Sequence, residues 1–217
     1  MPLGRFRLRL DPTAPFGTPP TSGTLFGHLC WAKRARDGQE ALRAWLARLP
    51  TEPFLISDLL PADHLPRPFI LAPAATDQGG QVGSAHAAAA SADVAKMLKK
   101  RRFITLDAWR NLRTGATAAA LDRLLAGTGT SGGTRSSDPP FLERARTPHN
   151  RIDRHTGKTP EAGGGGLWFS DELWPRPLRE GTGRVMADLY VESVLPPRQI
   201  EALLGHVGEL GFGRDAA

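Results

Sequence analysis

The sequence predicts an α+β fold, with helices laid on one face of an antiparallel sheet, and three observations carry that reading. Near the start, Arg5, Phe6, Arg7, Leu8, Arg9 and Leu10 alternate strictly between basic and apolar, the period-two signature of a half-buried strand. Near the end, Val185, Ala187, Leu189 and Val191 alternate with Met186, Asp188, Tyr190 and Glu192, a second strand of the same kind. Each of the two is followed by a helical pattern. Strand, helix, a long middle, strand and helix is the order of a ferredoxin-like split βαβ.

After the first strand, a Pro/Gly loop over residues 12–20 leads to Thr21, Ser22, Gly23 and Thr24, whose side-chain oxygens are expected to cap a helix with Leu25, Leu29 and Ala32 on its inner face. A second helix follows from Ala41, Leu42, Trp45, Leu46 and Leu49. Residues 54–60 form a short apolar run bounded by prolines, read as a strand or extended segment. Residues 65–91 are rich in Pro, Gly and Ala and predict a long loop. Helical patterns resume over 92–100, 106–112 and 116–125, and a Gly/Ser/Thr run over 127–134 has linker composition. In the last third, Pro197 stands at the first turn of a helix with Ile200, Leu203, Leu204 and Val207 on one face, which runs into the glycine-rich loop of Gly208, Gly211 and Gly213. A ferredoxin-like sheet takes a fourth strand after its second helix, and only Asp215, Ala216 and Ala217 follow the loop. The C-terminal part of the domain is therefore expected to be missing.

Composition bounds the partners. The chain has 217 residues, 40% of them hydrophobic and 23% charged, a balance that suits one packed domain and excludes a chain that is disordered throughout. One cysteine, Cys30, excludes an internal disulfide and a Cys-only zinc site, and no apolar run reaches membrane-spanning length; a cytoplasmic protein with no membrane partner is the expectation. The net charge is +6, yet between Lys96 and Lys158 fourteen basic residues face five acids, so the rest of the chain is acidic on balance. Such localised charge is the footprint of a polyanion, most often nucleic acid, and is also the composition of a solvated basic face.

Candidate site residues follow from residue chemistry. Gly211, Phe212, Gly213 and Arg214 close a helix rather than open one, which excludes a dinucleotide fingerprint. The loop could bring main-chain amides and Arg214 to a phosphate with Phe212 stacked on a base, or be a helix C-cap. Arg144, Arg146, His149, Asn150, Arg151 and Arg154 lie within eleven residues; arginine forks suit phosphates, and His and Asn suit bases and sugar hydroxyls. The alternative is a polar turn in which Asp153 pairs with an arginine. Lys99 and Lys100 offer phosphate contacts or a solvated run. His28 is the one plausible general base in the first helix, in apolar surroundings that suit packing and disfavour its charged form. Ser57 and Asp58 carry no nucleophile signature, and His149 with Asp153 makes too few ligands for a metal. No cofactor, metal or catalytic residue is expected.

Taken in order, Phe16-x-Thr18, Ser22-Gly-Thr24-Leu-Phe-Gly27-x-Leu-Cys-Trp-Ala32, the run from Phe54 to Pro61, Lys96-x-x-Lys99-Lys100-x-x-Phe-Ile104, the run from His149 to Arg154 and the run from Gly208 to Asp215 resemble the RAMP-superfamily subunit of type III-A CRISPR (Csm) effector complexes that binds the 5′ handle of the crRNA. The resemblance runs from Phe16 to Asp215. It implies one RAMP domain over 1–217 with an RRM-like, ferredoxin-type core at 1–62 and 163–217, and an inserted basic region at 63–162 that forms a thumb. It further implies a non-catalytic protein that holds the crRNA 5′ handle, touches the large polymerase-like signalling subunit and the backbone RAMP subunit, and meets target RNA indirectly. By position, Ser22 and Thr24 would lie at a phosphate site on the first helix, and Gly211, Gly213 and Arg214 in the RNA-binding glycine-rich loop. His149, Asn150, Arg151 and Arg154 form a family-like motif without individual roles. The other reading is a RAMP-type metal-independent endoribonuclease that processes precursor crRNA with His28 as base; a third is an assembly subunit that binds proteins and no RNA.

Overall fold

The computed structural model describes residues 1–69, 102–113, 115, 141–150, 166–176 and 184–212. The helical patterns expected over 92–100 and 116–125, and the linker over 127–134, lie outside them. The chain forms two compact units, Met1–Leu59 with Phe141–Ala217, and Leu60–Pro140. Both mix helices with small antiparallel sheets.

In the larger unit the strand expected at the start is β1 (Leu3–Leu10). It is followed by α1 (Ser22–Asp37), α2 (Gln39–Arg48) and the two-residue strand β2 (Leu55–Ile56). Gly38 ends α1 and starts α2 at φ +91° and ψ 166°, a conformation that a side chain would strain. The smaller unit holds β3 (Leu60–Pro61), β4 (His64–Pro66), β5 (Phe103–Thr105) and α3 (Leu106–Leu112). There β4 and β5 pair from His64 against Thr105 to Pro66 against Phe103. Thr105 caps α3 by accepting the Ala108 N–H at 3.2 Å, and Leu60, Ile104, Ala108 and Leu112 are buried. Of these elements the sequence pattern anticipated α3; a three-residue strand is too short to show a period.

The larger unit continues with β6 (Leu142–Asn150), β7 (Leu167–Pro175), β8 (Val185–Glu192) and α4 (Pro197–Leu210). β8 is the middle strand of its sheet. It pairs antiparallel with β1 along eight residues, from Leu3 against Glu192 to Leu10 against Val185, and with β2 at Leu55 and Ile56. β1 and β2 therefore run in the same direction, with α1 and α2 between them in sequence and β8 between them in space. β6 and β7 form a separate two-stranded ribbon.

Alternation decides which face of β8 meets the helices. Val185, Ala187, Leu189 and Val191 are at most 1% exposed and join Phe6, Leu25, Leu29, Ala32, Trp45, Phe54, Ile200 and Leu203 in one core. Phe26, Trp45 and Phe54 pack with ring centroids 5.4 to 6.2 Å apart, spacings at which edge and tilted aromatic contacts are favourable. On the opposite face, the arginines of β1 are not a simple solvated row. Asp188 is fully buried, accepting from Arg5 Nη2 at 2.7 Å and from Arg7 Nε at 3.0 Å. An unpaired buried carboxylate would be costly, so these cations are what let an acid occupy the centre of the sheet.

Asp188→Ala is expected to destabilise the protein by roughly 2–3 kcal/mol, below the ~3–5 of a fully enclosed pair because water reaches both arginines. Urea denaturation measures this; a loss under about 0.5 kcal/mol, the level of an ordinary surface substitution, would show that the clamp adds little.

Candidate functional site

Two groups of site residues come together in the larger unit. The first lies where α1 and the end of α4 meet. Ser22 and Thr24 occupy the first turn of α1, as the helix signals require, but the expected side-chain cap is absent: Thr21 and Thr24 bond each other through their hydroxyls at 3.0 Å, and the N-cap Thr21 makes no side-chain cap bond. Instead Asp58 supplies the oxygen, its Oδ1 accepting the Ser22 N–H at 2.6 Å from 36 residues away. A carboxylate at this end answers the positive pole of the helix. Sequence reasoning passed over Asp58 because a cap delivered from a distant loop leaves no local spacing.

At the other side of this group Gly211 stops α4 at φ +85° and ψ 169°, a region essentially reserved for glycine. Phe212 then turns back into the unit. Its ring stacks on His28 with centroids 4.2 Å apart and meets Phe16 edge-on at 5.1 Å. Burial lowers the His28 pKa, in keeping with the apolar surroundings read from the sequence. Lys99, Lys100, Arg151, Arg154, Gly213 and Arg214 lie outside the described residues.

The second group is the β6–β7 ribbon. The sequence reads residues 144–154 as a basic motif or a polar turn; the described part of that segment, 144–150, is strand, within a pairing that runs from Leu142 against Pro175 to Asn150 against Leu167. Strand residues directly opposite each other share a face. One face therefore carries Asn150 with Leu167, Pro148 with Phe169, Arg146 with Asp171 and Arg144 with Leu173; the other carries His149 with Trp168, Thr147 with Ser170 and Ala145 with Glu172. On the first face the Arg146 guanidinium lies 4.4 Å from the Phe169 ring centroid, a cation–π distance. On the second, the His149 imidazole stacks on Trp168 at 5.3 Å and 16°, and its Nε2 lies 2.6 Å from Ser170 Oγ. Ser170 in turn donates to Glu172 Oε1 at 3.0 Å, and Thr147 donates to Glu172 Oε2. The Thr147 bond is the main cause holding the Glu172 pKa below the usual range.

Leu167, Trp168 and Phe169 are 58%, 51% and 47% exposed. Leu167 and Phe169 thus stand half in solvent on the face that carries Arg144 and Arg146, and Trp168 does so on the opposite face beside His149. Sequence reasoning missed Trp168, Phe169, Ser170 and Glu172; the available signal was the apolar run that follows the glycines at 163–166. Among the described residues no cluster of His, Cys, Asp and Glu is placed to hold a metal ion, and no helix is long and apolar enough to cross a membrane.

The described geometry defines a mixed α/β protein whose ribbon brings arginine, aromatic, imidazole, hydroxyl and carboxylate side chains together. No family model matches the sequence, and no curated protein does. Solved structures match in fold. A chain of the Csm1-Csm4 cassette crystallised with pppApA aligns with TM-score 0.53 and 21% identity, over 96% of this chain and 67% of that one. The cassette in complex with cA4 gives TM-score 0.53 and 19% identity over the same shares. The chain has a Csm4-like fold.

The two caps make different predictions. Asp58→Ala should cost about 1 kcal/mol, the usual value of an N-cap, whereas Ser22→Ala should leave the urea midpoint nearly unchanged. Equal losses would return the cap to the serine.

Proposed function

We propose that this chain is a non-catalytic crRNA-binding subunit of a type III-A CRISPR complex, with a ferredoxin-like RAMP core, that grips the repeat-derived 5′ handle. Its protein partners in this reading are the large polymerase-like signalling subunit and the backbone RAMP subunit; target RNA is met indirectly and the setting is the cytoplasm. The observation that carries the proposal is the ribbon: Arg144, Arg146, His149 and Asn150 share it with the exposed Leu167, Trp168 and Phe169. Neither Arg144 nor Arg146 has an ion pair among the described residues. Guanidinium forks without an ion pair among the described residues, on a ribbon with half-exposed rings, suit a single-stranded polyanion with stackable bases, since phosphates take the cations and each stacked base adds about 1–3 kcal/mol. The Csm4-like fold supports placing this RNA in a Csm complex.

The non-catalytic part of the proposal draws on His28. Its ring is partly buried and stacked on Phe212, and burial disfavours its charged form, surroundings that suit a packing role.

RNA binding should weaken with salt at a log–log slope of roughly −0.7 per neutralised phosphate, and Arg144→Ala with Arg146→Ala should make that slope shallower by about 1.4 while leaving the fold intact. Filter binding of repeat RNA across a salt series measures it. Wild-type affinity that stays flat with salt would reject the RNA-binding role. His28→Ala should leave guide RNA length unchanged in cells; accumulation of unprocessed transcript would establish the endoribonuclease reading instead.

A further inference from the structure

The hydrogen bonds on the second face of the ribbon have a fixed direction. Glu172 is held ionised by the hydroxyls of Thr147 and Ser170, so its oxygens can only accept. Ser170 has a single hydroxyl proton, and that proton points to Glu172. Its oxygen can then only accept from His149, 2.6 Å away, which places the imidazole proton on Nε2. In the neutral ring the other nitrogen is therefore a lone pair. The side chain of His149 is 36% exposed, no partner is found for Nδ1 among the described residues, and the stack on Trp168 fixes the plane of the ring.

We infer that His149 Nδ1 is a hydrogen-bond acceptor that reads a donor on the bound RNA, a ribose 2′-hydroxyl or a base amine, and that Ser170 and Glu172 are positioning residues that set this polarity. The inference rests on the RNA-binding reading above and narrows it. An unprotonated nitrogen has nothing to donate to a phosphate oxygen, so the two faces of the ribbon divide the ligand: Arg144 and Arg146 take the backbone charge, and His149 takes a neutral donor. A 2′-hydroxyl is the donor that separates RNA from DNA.

Polarity, rather than mere presence of the side chain, is the testable content. Replacing Glu172 by Gln puts an amide N–H where Ser170 now finds a carboxylate. The hydroxyl can then turn its proton to His149 Nε2 and send the imidazole proton to Nδ1, so that the exposed nitrogen becomes a donor. Nitrogen-15 spectra of histidine-labelled protein, assigned by loss of the signal in His149→Phe, should show Nε2–H in the wild type and a shift towards Nδ1–H in Glu172→Gln. Wild-type protein with the proton on Nδ1 would overturn the inference without any ligand.

Binding is measured on synthetic strands of one repeat-derived sequence: all ribose, all 2′-deoxy, and ribose with each adenine replaced by a purine lacking the amine. One net hydrogen bond corresponds to about a 2- to 10-fold loss. Wild type should lose that much on one substituted strand, the 2′-deoxy strand identifying the hydroxyl and the purine strand the amine. Glu172→Gln, His149→Phe and Ser170→Ala should each bring that ratio towards one, while the salt slope set by the arginines stays. Ratios that are the same in wild type and variants would overturn the polarity while leaving RNA binding in place; a wild type that binds none of the strands removes both readings.

Discussion

Strand β8 must satisfy a helix layer on one face and two cations on the other, and the larger unit is arranged around that demand. Its inward residues Val185, Ala187, Leu189 and Val191 are sealed from water by α1, α2 and α4, and burial of a Val or Leu side chain is worth ~1.5–3 kcal/mol. Its outward Asp188 is equally inaccessible and would oppose that gain if left alone. Arg5 and Arg7 stand opposite Tyr190 and Asp188 in the β1 register, so the same pairing that buries Phe6 also delivers the countercharges. A slip of one residue would turn Phe6 outward and both guanidinium groups into the core. Hydrophobic and electrostatic requirements thus select one register.

The elements most legible in the sequence are those with one dry face. β1, α1, α2, β8 and α4 each bury a stripe or an alternate set, and a stripe is a period. The ribbon has no such constraint. Both its faces are partly solvated, so Arg144 to Asn150 show no alternation of apolar and polar, and Pro148 within the strand argues against a strand at all. Proline is tolerated there because a two-stranded ribbon leaves each strand one unpaired edge. His149 was legible as a functional residue by its chemistry, while Ser170 and Glu172, twenty-one and twenty-three residues on, become its neighbours only through the register of β6 and β7. The same holds for Asp58, whose role at the head of α1 depends on a contact across 36 residues.

Phe16 connects the two groups of site residues. Its backbone exchanges hydrogen bonds with Leu173 of β7 at 2.9 and 3.0 Å, while its ring rests on Phe212, which covers His28 of α1. One residue thereby ties the base of the ribbon to the end of α4 and the middle of α1. Gly211 makes that connection possible: at φ +85° the chain leaves α4 sharply enough for Phe212 to reach back to α1. The glycine thus has a packing role in addition to any part in RNA contact, and the aromatic ring beside it is committed to protein on at least one face. On the ribbon Trp168 and Phe169 also carry one neighbour each, His149 and Arg146, but both rings stay half in solvent. The division of labour that follows has α1, α4 and Phe16 fixing where the ribbon stands, and the ribbon carrying the side chains that are still available to a ligand.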